Sequence, residues 1–448
     1  MYKVAFITLG CAKNTVLTEY MMGIIISSEY ILTEDYNEAD VVIVNTCGFI
    51  NDAKEESINL ILELIDLKNT NNKLKIVVLG CLVQKYAKDL NVSLPEIDLL
   101  LGSTEYDNII VHLDSLLSAS EDFKTIHLKK NWSSHTSFRP EVKRNITTLS
   151  QNYAYLLISE GCNNRCTYCA IPEMQGPYRS RPMEDIISEA KQLVAQGYQE
   201  LIIIAQDTTY YGKDLYGEYC LDKLLDTLAQ IDQLVWLRLL YAYPNNLTTQ
   251  LMDVIARNKN ICNYIDMPLQ HISNKILQSM NRDINQEEIK KIIQELRKKI
   301  PDIVIRSTFI SGFPGETRED HLMLVDFLKE IKLDRVGVFP YSQEDNTLAG
   351  RMPNQVNKSI KDKRAEELME TQFDIMVDIH KSMIGEYRIV KIDSINQDII
   401  YTRSYAESPS IDPYILLKNE NISLDKLRRY FMVKITDIDG YDLIGELV

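Results

Sequence analysis

The sequence lacks any long hydrophobic run. No stretch reaches the roughly 18 consecutive apolar residues that a membrane span requires. The first residues, MYKVAFITLG, lack the charged head and cleavage site of a signal peptide and predict a buried strand. We therefore expect a cytoplasmic protein without a membrane segment. Thiols stay reduced in that compartment, so the eight cysteines indicate metal or redox chemistry more than disulfides.

The chain also lacks a long basic run, and its formal net charge is −15. Such a surface has no general attraction for phosphate backbones, so nucleic-acid binding would need a local basic patch. The two short candidates, KKNW at 129–132 and KLRR at 426–429, are interpreted as solvated surface.

The pattern of strands and helices predicts an α/β protein with three domains. Residues 1–130 alternate apolar, Val- and Ile-rich strands with amphipathic helices, which is typical of a parallel sheet covered on both faces. A polar segment at 131–150 is predicted to be a linker. Residues 151–383 contain six further strand–helix units and a trailing helix at about 358–383. These units favour a partial or complete β/α barrel, and periodicity leaves an open doubly wound sheet as the alternative.

The last block, 384–448, changes character. Short strands alternate with turn residues, including Asp-Gly at 439–440. This spacing predicts a small β-barrel.

Three cysteines, Cys162, Cys166 and Cys169, lie within eight residues, directly after a predicted barrel strand. Active sites of β/α barrels are at this end of the strands. A structural zinc site normally closes with four ligands, and no fourth cysteine or nearby downstream histidine is present. We favour a 4Fe–4S cluster with one iron open to a substrate or cofactor.

A second set of cysteines is scattered through the first domain. Cys11, Cys47 and Cys81 each follow a predicted strand. Because parallel strands end at one edge of the sheet, these thiols are expected to converge where such sheets bind ligands. We favour a second open cluster over three unrelated buried cysteines. Cys220 and Cys262 are assigned to packing.

The string CNNRCTYC has the C-x3-C-x2-C spacing of the radical S-adenosylmethionine (SAM) enzymes, with Tyr168 before the last cysteine. With the scattered cysteines, the barrel and the small β domain, the whole chain resembles the methylthiotransferases. That family has an N-terminal α/β domain, a radical SAM barrel and a C-terminal TRAM domain.

Several stretches are similar to the branch of this family that modifies ribosomal protein S-twelve. They are TLGCAKN at 8–14, VNTCGFINDAKEESI at 44–58, RLLYAYP at 238–244, MPLQHIS at 267–273 and FISGFPGET at 309–317. The tRNA-modifying branches typically have GCQMN or GCKVN at the first cysteine, and this chain has neither.

The resemblance implies two 4Fe–4S clusters, with SAM bound at the one held by Cys162, Cys166 and Cys169. It implies that SAM cleavage there yields a 5′-deoxyadenosyl radical, which removes a hydrogen atom from the substrate. The cluster on Cys11, Cys47 and Cys81 then handles the sulfur. The implied acceptor is the β-carbon of an aspartate of ribosomal protein S-twelve. We further expect an electron donor such as flavodoxin or ferredoxin, and a monomer.

Further candidates follow from position. Gln206 and Asp207 end the second barrel strand, and Arg306 could meet the SAM carboxylate through a bidentate pair. The GFPGE turn at 312–316 could let backbone approach adenine. His271 is interpreted as a structural residue.

Three functional hypotheses remain at this stage. The first is methylthiolation of a ribosomal protein, and the second is the same chemistry on an adenosine of tRNA. The third is an iron–sulfur electron carrier, which is disfavoured because a carrier needs fully ligated clusters.

Overall fold

The computed structural model describes residues 2–119, 125–128, 132, 136, 138–139, 141–147, 153–419 and 430–448. The basic stretch KLRR (426–429) and most of KKNW lie outside these residues. Within the part described, no helix combines the length and apolar character needed to cross a bilayer.

The N-terminal domain is a six-stranded parallel sheet with the strand order β2-β1-β3-β4-β5-β6. Its elements are β1 (Lys3–Thr8), α1 (Ala12–Ile26), β2 (Ile31–Leu32), β3 (Val41–Thr46), α2 (Asn51–Thr70), β4 (Lys75–Gly80), α3 (Cys81–Ser93), β5 (Leu99–Leu101), α4 (Ile109–Ser118) and β6 (Thr125–His127). Alternate residues of the strands pack on opposite faces: Ile43 faces α1 and α4, whereas Val44 faces α2 and α3. Burial on both faces explains why these strands are apolar throughout.

The central domain contains a second six-stranded parallel sheet, with the order β14-β13-β12-β11-β10-β7. Its strands are β7 (Tyr153–Leu157), β10 (Glu200–Ile204), β11 (Trp236–Leu239), β12 (Ile261–Asp266), β13 (Val304–Ser311) and β14 (Arg335–Pro340), with a small hairpin of β8 (Ser159–Glu160) and β9 (Arg179–Ser180). Its helices are α5 (Ile171–Gln175), α6 (Met183–Ala195), α7 (Leu221–Leu228), α8 (Thr249–Arg257), α9 (Asn274–Ser279), α10 (Gln286–Lys299), α11 (Arg318–Ile331) and α12 (Lys358–Met383).

This sheet is wound in one direction only. Its strands neighbour each other in chain order, and one face packs against the helices. Residues of the other face, including Tyr155 and Ile202, pack instead in a cluster with Tyr20 of α1. A doubly wound sheet would reverse its strand order and carry helices on both faces. The partial barrel is therefore confirmed over the doubly wound alternative.

The C-terminal domain is a closed barrel in which the strand order is β15-β16-β17-β19-β18. Its strands are β15 (Tyr387–Ile395), β16 (Ile399–Arg403), β17 (Ile415–Lys418), β18 (Phe431–Asp439) and β19 (Asp442–Leu447). The predicted Asp-Gly turn joins β18 to β19, where Gly440 has a φ of 59°. The sequence patterns did not predict β17, and pairing of β17 with β16 and β19 closes the barrel.

A buried charge network attaches this barrel to the central domain. Glu200, the first residue of β10, binds Arg403 at 2.9 Å and Lys391 at 2.6 Å, and it also accepts from Arg238 at 3.1 Å. Burial alone would raise the pKa of Glu200, but the three cations outweigh it and hold that pKa well below the usual range. The small barrel thus lies at the amino end of β10, away from the end that follows Ile204.

Residues 141–147 of the predicted linker pack on both neighbouring domains. Arg144 is buried, donates to the carbonyl of Tyr155 at 2.7 Å and pairs with Glu189 of α6. The backbone N–H of Asn145 donates to the carbonyl of Glu19 in α1. These contacts bring α1 against the central sheet.

Candidate functional site

Three cysteines of the N-terminal domain lie at the carboxyl ends of three neighbouring strands. Cys11 is the N-cap of α1 after β1, Cys47 directly follows β3, and Cys81 begins α3 after β4. Because β1, β3 and β4 are adjacent and parallel, their ends share one edge of the sheet. The structure brings together the cysteines that the sequence predicted to converge, and we call them the N-terminal triad.

The members of the N-terminal triad influence one another electrostatically. Burial raises the pKa of the Cys47 thiol, and a charge on Cys11 raises it further. Burial also raises the pKa of Cys81 to about 12, against the opposing hydrogen bond from Gln175, and charges on Cys11 and Cys47 add to the rise. The three thiols are therefore close enough in space for a charge on one to raise the pKa of another.

Two glycines allow this close approach. Gly10 has a φ of 93°, and a Cβ there would lie 2.7 Å from the Cβ of Cys47. Gly80 has a φ of 107°, and a Cβ would lie 2.6 Å from the carbonyl oxygen of Thr46. Only glycine suits such positions, so these residues fix the turns that present Cys11 and Cys81.

The second set, Cys162, Cys166 and Cys169, lies on the loop between β8 and α5, and we call it the loop triad. The N–H of Cys169 donates to the carbonyl of Cys166 at 3.1 Å, and the N–H of Cys162 donates to the carbonyl of Gly176 at 3.2 Å. Thr167 donates through its backbone to Met280, which secures the loop against the end of α9.

The cysteines of the loop triad are partly buried and also act on one another electrostatically. Burial raises the pKa of Cys162 to about 11, and a charge on Cys166 contributes to the rise. Burial likewise raises the pKa of Cys169, with charges on Cys166 and Cys162 adding to it. Thiols in such a place become ligands only when a metal displaces their protons.

The donor sets fit a multinuclear cluster better than a single ion. Among the residues that the structure describes, no three His, Cys, Asp or Glu side chains converge closely enough to hold one metal ion. Each triad nevertheless consists of three thiols in mutual electrostatic contact. Thiolates that bind separate irons of a 4Fe–4S cluster meet both conditions, because each iron takes its own ligand.

The two triads face each other. The side-chain nitrogen of Gln175, at the end of α5, lies 3.2 Å from the Sγ of Cys81. Cys81 also packs in one cluster with Ala170 and Met174, which follow Cys169 in the chain. The hydroxyl of Ser103 donates to the carbonyl of Met174 at 2.6 Å. Two parallel sheets therefore meet at their carboxyl edges, and each edge carries three thiols.

A cavity of about 720 Å³ lies beside this junction. Phe49 and Ile50, which follow Cys47, form one wall, and Tyr168 of the loop triad's segment forms another. The ends of β13 and β14 complete it, together with Lys358 at the start of α12. The cavity is thus lined by chain neighbours of Cys47 and of Cys169, and it is large enough for a side chain and part of a small molecule.

Gln206 and Asp207 lie one residue beyond β10, at the predicted end of the sheet. Gln206 is partly exposed. Its predicted contact with SAM stays a prediction. Asp207 is buried and accepts a hydrogen bond from Asn164 at 2.8 Å, which holds the loop that carries Cys162. Burial raises the pKa of Asp207, against hydrogen bonds from Thr209 and Asn164.

Arg306 has two carboxylate partners within the protein. Its guanidinium donates to Asp266 at 2.8 Å and lies 3.6 Å from Asp412 of the C-terminal domain. A SAM carboxylate would have to compete with Asp266 for the same group. The assignment of Arg306 to SAM therefore stays a prediction, and the structure adds a role in contact between domains.

The GFPGE turn is ordered by its own glutamate. Glu316 accepts from the N–H groups of Gly312 and Phe313 and binds Arg364 at 2.8 Å. His271 is fully buried, and its Nδ1 accepts from two backbone N–H groups at 2.9 and 3.0 Å. These contacts agree with the structural interpretation of His271.

Two residues at this site were not predicted from the sequence, because no motif or spacing pattern points to them. Lys13 is buried between the domains, and Gln175 contacts Cys81 from another domain, 94 positions away in the chain. Cys220 and Cys262 are buried away from both triads, in the two large cores, as their assignment to packing predicts.

The chain matches three described families. Residues 3–102 match the uncharacterized protein family UPF0004, residues 156–328 match the Radical SAM superfamily, and residues 384–448 match the TRAM domain.

Two full-length relatives have the same name. The chain is 44% identical over 451 residues to "Ribosomal protein uS12 methylthiotransferase RimO" of Clostridioides difficile (strain 630), covering 100% of this chain and 99% of the relative. It is 43% identical over 450 residues to the protein of the same name from Lachnoclostridium phytofermentans, covering 99% of each.

Solved structures share the fold at low sequence identity. The radical S-adenosylmethionine methyltransferase TsrM from Kitasatospora setae, solved with a tryptophan substrate and a SAM analogue, has a TM-score of 0.59 at 12% identity. The match covers 88% of this chain and 79% of that one. The cobalamin-dependent radical enzyme OxsB has a TM-score of 0.55 at 13% identity, covering 83% of this chain and 56% of that one. At these sequence identities, the two matches show a shared fold.

Proposed function

The chain belongs to the family of ribosomal protein uS12 methylthiotransferases, RimO, and on this premise we propose that it inserts a methylthio group at the β-carbon of an aspartate of ribosomal protein uS12. The observation that carries the proposal is the arrangement of two three-thiol sites face to face beside one cavity. Such a reaction needs one site for hydrogen abstraction and another for sulfur delivery, both within reach of a single carbon atom.

Each triad has a distinct task in this proposal. With 4Fe–4S clusters and SAM bound, the loop triad's site supplies radical hydrogen abstraction and the N-terminal triad's site supplies the sulfur. Because each site has three thiols, each leaves one iron free of a protein ligand. Gln175 and Ser103 hold the two edges in register, and the buried surroundings exclude water from reactive species.

The substrate aspartate enters through the 720 Å³ cavity. Tyr168 and Phe49 line that cavity, and each is a near neighbour in the chain of a cysteine of one triad. Lys358 is exposed at its wall, and its ammonium suits the carboxylate of the incoming aspartate.

A protein substrate fits the charge of the C-terminal domain better than tRNA does. Residues 384–448 contain 11 acidic and 8 basic side chains. In the structure Lys391 and Arg403 are buried against Glu200, and Arg388 pairs with Glu386. Phosphate contacts need free cations, whereas an acidic surface steers a basic ribosomal protein toward the enzyme.

The proposal includes the setting of the reaction. Modification of a ribosomal protein takes place in the cytoplasm, with the enzyme as a monomer. An electron donor such as flavodoxin or ferredoxin reduces the cluster of the loop triad.

Mass spectrometry of cells that lack this protein, and of cells with it restored, tests the proposal. We expect one aspartate of uS12 to gain the mass of SCH3 in place of H on restoration, with tRNA nucleosides unchanged. The C162A/C166A/C169A variant, expressed at the same level, should restore nothing. A methylthio nucleoside that appears on restoration, with uS12 unmodified, would assign the activity to tRNA.

A further inference from the structure

Lys13 lies at the contact between the two triads. It belongs to the first turn of α1, two residues after Cys11, and its side chain extends from the N-terminal domain to the central domain. Its Nζ is 3.4 Å from the carbonyl oxygen of Ala205, which follows β10, and 4.3 Å from the ring centroid of Tyr241. Only 7% of the residue is exposed.

Thiols of both triads are among the groups that act on this ammonium electrostatically, together with Tyr241. Cys11 and Cys81 of the N-terminal triad and Cys162 of the loop triad each act on it electrostatically. A buried cation is costly unless an anion compensates it. At this position the thiolates of the two sites, together with Tyr241, are the groups that can do so.

Two other lysines with buried side chains have a carboxylate partner instead. Lys391 binds Glu200 at 2.6 Å, and the fully buried side chain of Lys85 binds Glu344 at 2.9 Å. Among the described residues, no carboxylate lies within ion-pair distance of Lys13, whose hydrogen bond is to a neutral carbonyl. Its countercharge therefore arises when the thiols become thiolates.

We propose that Lys13 is a shared counter-cation of the two clusters, a positioning residue whose charge raises the reduction potential of both. This inference rests on the two-cluster arrangement of the proposed function. A cluster with three thiolates becomes more negative by one charge on reduction, and a nearby cation favours the more negative state. Net charge and surroundings are what set the potentials of such clusters.

The test is a potentiometric titration of anaerobically reconstituted protein, followed by electron paramagnetic resonance. Each cluster is titrated alone in the background that removes the other triad, C11A/C47A/C81A or C162A/C166A/C169A. We expect Lys13→Met and Lys13→Gln to shift the midpoint potential of both clusters to more negative values. Lys13→Arg keeps the positive charge, so its midpoint potentials should stay near those of the parent protein.

Lys361 is the matched control. It is also buried, donates to a backbone carbonyl, that of Tyr341, at 2.9 Å, and lies 4.7 Å from a tyrosine ring centroid. The cysteines of the triads are not among the groups that act on it electrostatically. Lys361→Met should therefore move neither potential.

Three outcomes would overturn the proposal. They are unchanged potentials in both neutral variants, a shift confined to one cluster, and an equal shift in Lys361→Met. The two neutral variants, Lys13→Met and Lys13→Gln, differ in polarity. If one of them binds iron poorly, the potentials of the other still test the proposal. Because the readout needs no substrate, failure of the uS12 assignment would leave this result intact.

Discussion

The side-chain nitrogen of Gln175 lies 3.2 Å from the Sγ of Cys81, and this contact joins the two cysteine sites. Gln175 ends the short helix that follows the loop triad, whereas Cys81 begins a helix of the other domain. The hydrogen bond lowers the pKa of Cys81, against the larger effect of burial. Gln175 therefore favours the thiolate that an iron ligand must be.

Replacing Gln175 by leucine should weaken the N-terminal cluster, because the donor to a ligand sulfur is lost. Removal of such an outer contact typically costs about 10- to 100-fold in metal affinity. The measurement is iron retention against a chelator in the C162A/C166A/C169A background. Gln372→Leu is the control, since Gln372 is also buried and donates to the carbonyl of Leu333, in the core of the central domain. Equal retention in both variants would contradict the role of Gln175.

The reconstituted chain should hold about eight irons, four for each cluster. C11A/C47A/C81A and C162A/C166A/C169A should each hold about half of that number, because the triads come from different domains. Iron and sulfide analysis gives the result. A parent protein that stays near half loading, with all six cysteines reduced beforehand, would remove the second cluster.

The two triads should separate radical formation from sulfur transfer. C11A/C47A/C81A should still cleave SAM to 5′-deoxyadenosine when reduced, since the loop triad is intact, but it should form no methylthiolated uS12. C162A/C166A/C169A should do neither. Chromatography of the nucleoside and mass spectrometry of uS12 report the two steps. Methylthiolated product from the first variant would show that the sulfur role belongs elsewhere.

Glu344 should control how well the two sites are aligned. It is 3% exposed and binds Lys54 and Lys85 of the N-terminal domain at 2.8 and 2.9 Å. Glu344→Gln should reduce methylthiolation far more than SAM cleavage, by about a hundredfold if the domains shift by about 1 Å. Glu330→Gln is the control, because Glu330 forms an exposed pair with Lys290. Parallel loss of both reactions would contradict an alignment role.

Glu200 should control the attachment of the C-terminal barrel. Glu200→Gln leaves Arg238, Arg403 and Lys391 without their common anion, and loss of one partner of a buried pair costs about 3–5 kcal/mol. We expect faster amide exchange in β15 and β16 at neutral pH, measured by hydrogen exchange. Glu218→Gln, which removes an exposed pair with Lys223, should leave exchange there unchanged.

The effect of Glu200 should depend on pH in a defined direction. Its folded-state pKa is depressed, so its stabilisation is present above the ordinary glutamate value of 4.5 and is lost as the pH falls through the lower folded pKa. The difference in amide exchange between the parent and Glu200→Gln should therefore be largest at pH 7 and should become smaller only below about pH 4.5. A difference that already disappears between pH 7 and 5 would contradict the assignment.

Local patterns in the sequence were enough to predict both triads. The spacing of Cys162, Cys166 and Cys169 restricts them to one loop, so their proximity needs no knowledge of the fold. Cys11, Cys47 and Cys81 follow strands, and parallel strands end at a common edge by geometry. The strand β17 was missed because residues 415–418 are a run of only four residues, and only their pairing with β16 and β19 identifies them as a strand.

What the sequence alone determined is therefore the domain order, the parallel sheets and the two sets of thiols, because each follows from local spacing and periodicity. Only the tertiary structure decided which side chains meet across domains. Lys13 reaches Ala205 over 192 positions of chain, and Arg403 reaches Glu200 over 203. No local pattern encodes such contacts, since they depend on how separately folded surfaces pack and on which buried charges must find partners.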